Sequence, residues 1–576
     1  MKKDINIYGI NGFNSFRWER VFMLFLLAWL CVNIFQSIFT EALSDETYYY
    51  MYGEKLSWGY FDHPPLVGIM VYFSNLLFAG NLSIRFATII LQIFTIIIIW
   101  KIIADYSPDL QKVVLFFILM ASFVMFQTYG FVTTPDSPFL FFTALFLYSY
   151  KRFLKDESLL HTAFLTISMT GMVYSKYHAV LIVGFIVFSN LHLLTRRKFW
   201  IAGLLTFLLL TPHIYWQVMN DFPSFQFHLS DRNREFRWSD FLKYFPNQLA
   251  VFNPFTFGAV VYILIKHKPK DIFERGMYFL IIGFIVFFWL TSFRGEVEPH
   301  WTVAVSIPMI ILLYHHSLKN ERLMRYVKKV IAPSLLLLLF ARIVLTMDLL
   351  PTSLDFNGKK EASKRIESIA SDMPVVFTGS FQNPSNYHFF TGKESFVLSA
   401  ITGRRTQFDL LEKELSYQGM PAFVCQENSN KSKKYIVDGH VIYGYFIDNL
   451  QTVNRERIEF TLNKTELYPG DTLHIPFALH NPTDYDVNFL HVELPVTCRA
   501  AYVIGRIIGR NVKAVFADCE LSEPILKLPA HTTIRGNIKT IVPHLEPIEC
   551  QFTLTLVNPI CAARNSEYVP VKILRK

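Results

Sequence analysis

Long apolar runs alternate with short polar ones over roughly the first 350 residues. They lie at Val21–Thr40, Leu82–Ile103, Val113–Phe131, Pro138–Phe153, His161–Tyr174, Ala179–Leu194, Phe199–Trp216, Leu249–Ile265, Met277–Ser292, Thr302–Tyr314 and Ile331–Leu350. A bilayer crossing needs about 20 apolar residues in a helix, so the series predicts about eleven transmembrane helices. Leu66–Ala79, which follows Pro64-Pro65, is too short to cross and reads as an interfacial or re-entrant helix.

After Leu350 the rhythm changes. From Pro351 to Asn454 helical and extended patterns alternate: Pro374–Ser380 reads as a buried strand entering a turn, and Gln407–Tyr417 has helical spacing. From Arg455 onward short alternating strands take over, such as Ile458–Leu462 and Leu473–Phe477. Turn signals at Pro469-Gly470-Asp471 and Asn481-Pro482-Thr483-Asp484 separate them. The expected architecture is a polytopic α-helical membrane domain (residues 1–350), a soluble α/β segment (351–454) and a terminal β-sandwich (455–576).

Composition agrees: 52% of the 576 residues are hydrophobic and 56 are Phe, an excess that excludes an ordinary soluble enzyme. The basic stretch with Lys2, Lys3, Arg17 and Arg20 ahead of Val21–Thr40 has no small-residue cleavage site after it, so a retained anchor is expected. Lys and Arg crowd into alternate loops: Lys151, Arg152 and Lys155; Arg196–Lys198; Lys266, Lys268, Lys270 and Arg275; Arg322, Arg325, Lys328 and Lys329. Cytoplasmic loops carry such an excess. With an odd number of spans, this bias puts everything after Leu350 on the outer, periplasmic side of a bacterial inner membrane. The net charge of +9 is then topology rather than a nucleic-acid footprint, and no nucleic-acid-binding motif accompanies it. Five of the six cysteines (Cys425, Cys498, Cys519, Cys550, Cys561) lie in the outward part, where pairs such as Cys498 with Cys519 are compatible with oxidation. Their spacing matches no zinc signature.

Polar groups near a bilayer are costly, and each cluster there calls for a reason. The first outer loop holds Asp45-Glu46-Thr47-Tyr48-Tyr49-Tyr50 and then Gly59-Tyr60-Phe61-Asp62-His63-Pro64-Pro65-Leu66. With Ser44 as N-cap, Asp45 and Glu46 would sit in a first helical turn, where negative charge is favoured on structural grounds alone. Thr133-Thr134-Pro135-Asp136-Ser137-Pro138 puts a second acid, Asp136, in the next outer loop. Cations share that side: His63, Arg85 at the start of its run, Lys176 within Tyr174-Ser175-Lys176-Tyr177-His178, and Arg294 near Glu296, Glu298, His300 and Trp301. Lys176 can also snorkel harmlessly to the headgroups. Carboxylates beside Lys, Arg and His at a membrane surface suit a charged lipid headgroup, with cations on its phosphate and an acid handling a proton.

Asp45-Glu46 with Tyr48-Tyr49 and the Gly59–Leu66 block together resemble the first-loop signature of bacterial lipid-linked-sugar glycosyltransferases. These are relatives of the dolichyl-phosphate-mannose protein mannosyltransferases and of the lipid A aminoarabinose transferases, with the C-type (GT-C) fold. Thr134–Pro138, Ser175–Tyr177, Pro212–Phe225 and Glu298–Trp301 resemble later blocks in the right order, as do Gly379–Asn383 and Gly403–Asp409. The resemblance covers about residues 20–425 and leaves out the terminal sandwich. It implies Asp45, Glu46 and Asp136 as catalytic acids, and Tyr48, Asp62, His63, Arg85, Lys176, Arg294, Glu298 and His300 as substrate-binding groups. In the aminoarabinose transferases a Glu-Lys-Pro-Pro stretch sets Lys against the carrier phosphate; Asp62-His63-Pro64-Pro65 departs from it, and Lys176, Arg85 or Arg294 would then supply the charge.

The implied reaction transfers a sugar from a polyprenyl-phosphate carrier to a lipid or protein acceptor. Such a donor is already activated, consistent with the lack of a Gly-rich phosphate loop in the sequence. No cofactor is required, although so many carboxylates are compatible with a divalent cation. The rival reading is a lipid or sugar transporter or flippase, which would show repeats and polar residues at mid-membrane. No repeat is visible here, and the ionisable residues sit at the ends of the apolar runs. A non-catalytic envelope scaffold is a third reading, but it leaves the first loop unexplained.

Overall fold

The computed structural model describes residues 8–104, 109–228, 237–351, 355–427, 429–505 and 512–575. The N-terminal lysines Lys2 and Lys3 lie outside these. The chain forms two compact units: Met1–Ser224 with Glu235–Asn357, and Phe225–Arg234 with Gly358–Lys576.

The first unit is helical. In order it contains α1 (Tyr8–Phe39), α2 (Ser44–Glu54), α3 (Leu66–Leu77), α4 (Leu82–Ile103), α5 (Leu110–Ser122), α6 (Val124–Thr128), α7 (Asp136–Phe153), α8 (Leu159–Ser175), α9 (Ala179–Ser189), α10 (Arg197–Leu209), α11 (Thr211–Met219) and the first half of the single turn α12 (Pro223–Gln226). After these come α13 (Trp238–Phe252), α14 (Pro254–Lys266), α15 (Ile272–Thr291), α16 (Ser306–Lys319), α17 (Glu321–Tyr326) and α18 (Ala332–Thr346). Five stretches are long and apolar enough to cross a bilayer: Trp18–Phe39, Leu82–Ile103, Ile272–Arg294, Pro299–Lys319 and Glu321–Thr346. Counting each of two bent pairs, α10 with α11 (42°) and α13 with α14 (103°), as one span gives at most seven. This is fewer than the eleven expected from sequence. The difference lies in α5, α7, α8 and α9, where the apolar runs become helices of 11 to 18 residues that do not meet that test.

The run Leu249–Ile265 is also corrected, since it straddles a chain reversal. Asn253 takes φ 67°, and its Oδ1 accepts the Phe255 amide at 3.1 Å, capping α14 with Pro254 in the first turn. The core below these helices is aliphatic and aromatic, with Ile99, Phe116, Phe139, Val260, Met277 and Ile310 fully buried. Apolar residues such as Leu336 and Phe340 on α18 stay exposed, the pattern expected of a helix whose solvent is hydrocarbon.

The second unit opens with α19 (Lys359–Ala370), β1 (Val375–Thr378), α20 (Gln382–Thr391), β2 (Ser395–Leu398), α21 (Gln407–Leu411), β3 (Ala422–Cys425), β4 (Lys433–Val437) and β5 (His440–Ile447). The strands form one sheet in the order β2-β1-β3-β5-β4, parallel from β2 to β3 and antiparallel beyond. The expected helix at Gln407–Tyr417 breaks at Glu412, which takes φ 52°, and finishes as a 3-10 turn.

The following strands are β6 (Arg457–Phe460), β7 (Glu466–Leu467), β8 (Thr472–His480), β9 (Val487–Asn488), β10 (Thr497–Ile504), β11 (Lys513–Leu521), β12 (Lys527–Leu528), β13 (Thr533–Ile541), β14 (Ile548–Val557) and β15 (Val569–Ile573). They order as β6-β8-β13-β11-β10-β14-β15-β7, with β12-β9 separate. β11 changes partner along its length: Lys513–Asp518 pairs with β10 and Cys519–Leu521 with β13. The sheet folds there, so Phe460 of β6 packs on Phe552 of β14 at 5.6 Å, in a core shared with Ile475, Tyr502 and Leu554. Cys498 and Cys519 carry free thiols on the paired strands β10 and β11, next to the Arg499–Asp518 pair.

Glu456, just before β6, is buried with its Oε2 unpartnered, and burial pushes its carboxyl up to about 7. A carboxyl raised in the folded state contributes stability at acid pH that is lost as pH rises from about 4.5 through 7. The second unit should therefore lose about 3 kcal/mol over that interval. Glu456→Gln should flatten the pH dependence of its thermal midpoint; an unchanged profile would show that Glu456 stays neutral throughout or is solvated.

Candidate functional site

The site is built on α2 and the turn that follows it. Sequence suggested Ser44 as N-cap, but Ser44 is the first helical residue. Its amide donates to Asp355 Oδ2 at 3.0 Å and its hydroxyl to Oδ1 at 2.5 Å, so a residue 311 positions away takes over the capping role. One residue apart, Asp45 is exposed and Glu46 fully buried.

Glu46 meets Arg85 of α4 edge to edge. The Arg85 Nε donates to Oε1 at 2.8 Å and a terminal nitrogen to Oε2 at 2.5 Å, while the Thr133 and Leu43 amides donate to the same two oxygens at 2.8 and 3.0 Å. The remaining Arg85 donors go to the carbonyls of Ser37, Thr40 and Glu41. All five guanidinium donors are used. In this arrangement Arg85 has no donor left for a carrier phosphate, and Glu46 accepts four hydrogen bonds. Together they fasten α2 to α4 and to the segment leading into α7.

The other acids converge elsewhere. Asp136, buried at the start of α7, accepts a 2.6 Å contact from the Lys176 ammonium at the end of α8, and His300 Nε2 lies 3.8 Å from its other oxygen. Asp62 is buried and accepts the Tyr52 hydroxyl at 2.5 Å. Tyr49 stands among these groups. Burial, with Asp45, Asp62 and Asp136 close by, holds its phenol well above the usual range, and its hydroxyl lies 3.3 Å from His63 Nε2. Tyr129 lies within electrostatic reach of Asp136, Asp45 and Glu298, and its ring is 6.2 Å from His300. Tyr48 is buried with its ring edge-on to Tyr52 at 5.0 Å, and Tyr52 in turn stacks on Tyr60 at 3.9 Å.

Of the sequence candidates, Asp45, Tyr48, Asp62, His63, Asp136, Lys176, Glu298 and His300 come together in this way. Arg294 does not: it is exposed on the 3-10 turn after α15 and forms no ion pair among the described residues. Sequence reasoning missed Asp355, and Tyr49, Tyr52 and Tyr129 as site residues. It also missed the strut behind the loop. Gln217 of α11 donates to the hydroxyls of Tyr177 (3.1 Å) and Ser224 (2.8 Å), Ser224 donates to the Tyr60 carbonyl, and the His213 ring meets the Trp58 carbonyl at 2.6 Å. Gly59 lies against the Trp216 ring, where an added methyl would stand 2.3 Å from a ring carbon. Among the described residues no three His, Cys, Asp or Glu side chains are grouped to hold a metal ion.

The profile of the dolichyl-phosphate-mannose-protein mannosyltransferase family matches residues 62–216, which include Asp62, His63, Arg85, Asp136 and Lys176. Two structures of ArnT from Cupriavidus metallidurans share the fold. The apo form aligns at TM-score 0.56 and 12% identity, covering 75% of this chain and 98% of that one. The form bound to undecaprenyl phosphate aligns at TM-score 0.53 and 14% identity, covering 74% and 98%. No curated protein matches the sequence. Residues 62–216 are thus similar to that mannosyltransferase family, and the chain shares the fold of ArnT, with helices long and apolar enough to cross a bilayer and a C-terminal sheet region.

Proposed function

We propose that this chain is an integral-membrane glycosyltransferase. It moves a sugar from a polyprenyl-phosphate carrier to a lipid A, glycolipid or protein hydroxyl on the outer face of the bacterial inner membrane. In this reading the membrane domain spans residues 1–350, its polypeptide passes the bilayer about eleven times, and segments 351–454 and 455–576 are periplasmic. The observation that carries it is the exposed carboxylate of Asp45 gathered with Asp62 and Asp136 around Tyr49, whose hydroxyl meets His63, with Lys176 on Asp136. ArnT, a structural neighbour, binds undecaprenyl phosphate, which supports the choice of carrier.

In the reaction the acceptor oxygen bonds to the anomeric carbon as its proton passes to Asp45. The bond from that carbon to the phosphate oxygen breaks, and its electron pair leaves with the carrier phosphate. A single displacement inverts the anomeric centre, and the flanking carboxylates stabilise its oxocarbenium-like charge. Lys176, whose ammonium is held on Asp136, is the cation that would meet the departing phosphate, with His300 on the other Asp136 oxygen and His63 on Tyr49. The reaction as written needs no metal.

Mass spectrometry of envelope lipids and glycoproteins from a deletion strain tests the reading: one sugar-sized mass should vanish from one acceptor and return on complementation. An unchanged envelope would count against transfer. Lys176→Ala should weaken binding of a polyprenyl phosphate by about ten- to hundredfold, since a charge-assisted hydrogen bond contributes about 1.5–3 kcal/mol. Normal carrier binding by Lys176→Ala would limit Lys176 to holding Asp136.

A further inference from the structure

At the other end of α15 and α16 lies a cavity of about 530 Å³ that the transfer reaction does not use. α15 has 20 residues, so the cavity is ~30 Å along its axis from the Arg294–His300 segment. Its lining cations come from three places: Lys270 just before α15, Lys319 at the end of α16, and Arg322 and Arg325 on α17. Glu321 is the one carboxylate on the wall. The nearby acid Glu274 is occupied, 2.8 Å from His316 Nε2. Among the described residues none of the four cations forms an ion pair.

A positive-inside bias accounts for basic residues in a loop but not for their convergence on one cavity of ligand size. We propose that this cavity binds the phosphate of an anionic phospholipid headgroup. Charge complementarity selects an anion, and the adjoining surface selects a lipid. Tyr262 lines the cavity and stays exposed, as do Ile265 (72%), one turn further along α14, and Ile272, two residues after the lining Lys270; together they offer an apolar track for acyl chains. The headgroup would tie the short helix α17 to the ends of α14–α16, away from the chemistry.

Native mass spectrometry of the full chain in neutral detergent tests this with dioleoyl phosphatidylglycerol and dioleoyl phosphatidylcholine at equal concentration. The wild type should retain the anionic lipid at least about tenfold better, because the two headgroups share a phosphate and differ in the choline cation, which four lining cations would repel. The triple change Lys319→Gln, Arg322→Gln, Arg325→Gln should remove that preference; Arg322→Lys with Arg325→Lys should keep it. Should the triple variant not fold, Arg322→Gln alone should lower the preference severalfold. Equal retention of the two lipids by the wild type, or an undiminished preference in either Gln variant, would overturn the proposal. So would displacement of phosphatidylglycerol by millimolar inorganic phosphate, which would make the ligand a free anion.

Discussion

Asp45→Asn is expected to lower sugar transfer by about 10²–10⁴-fold while leaving the protein folded. The side chain is exposed in the first turn of α2, so its loss removes little packing, and the favourable charge lost near the helix N-terminus is worth about 0.3–1 kcal/mol. An amide of the same shape can neither take the acceptor proton nor carry negative charge toward the anomeric carbon. Asp136→Asn should behave differently. It leaves the Lys176 ammonium buried without its counter-charge, so folded yield and transfer should fall together. The measurement is product mass in the envelope of a deletion strain complemented with each variant, normalised to folded protein. Near-normal product with Asp45→Asn would remove Asp45 as the base. It would also point to an acceptor that attacks through a phosphate oxygen, which needs no proton removed.

The contrast between Asp45 and Glu46 marks how far the sequence could be read. Their presence in one loop block, with Asp62 and His63 in the next, was visible because the block is contiguous. Which acid faces outward was not. A helix turns about 100° per residue, so neighbours on α2 point apart, and only the position of Arg85, 39 residues on, decides which is absorbed. The same limit hid Asp355, which caps α2 from a loop with no local signal. The aromatic residues between the acids were in plain view but unassigned, because a Tyr-rich stretch reads equally well as membrane-interface packing. Apolar runs located most of the helices of the first unit, and Leu82–Ile103 coincides with α4 from end to end. They failed where hydrophobicity continues through a break, as at Asn253-Pro254. There the cap chemistry of Asn before Pro was the available signal, and composition masked it.

Breaking the Glu46–Arg85 pair should destabilise the fold by about 3–5 kcal/mol, since either partner left alone is an uncompensated buried charge. Arg85→Met strands a carboxylate that still has the Thr133 and Leu43 amides, whereas Glu46→Leu strands a guanidinium with only carbonyl partners. Glu46→Leu should therefore be the worse of the two. The double change Glu46→Leu, Arg85→Met removes both charges and should recover much of the loss, as apolar replacements of buried pairs often do. Thermal unfolding of detergent-purified protein gives the ordering. The decisive variant is Glu46→Gln, which keeps the shape and one acceptor oxygen. Its folded yield should drop, while transfer per folded molecule should fall at least about tenfold less than in Asp45→Asn. The opposite pattern, an intact yield with transfer lost, would mean that Glu46 leaves Arg85 during turnover and acts on the substrate directly.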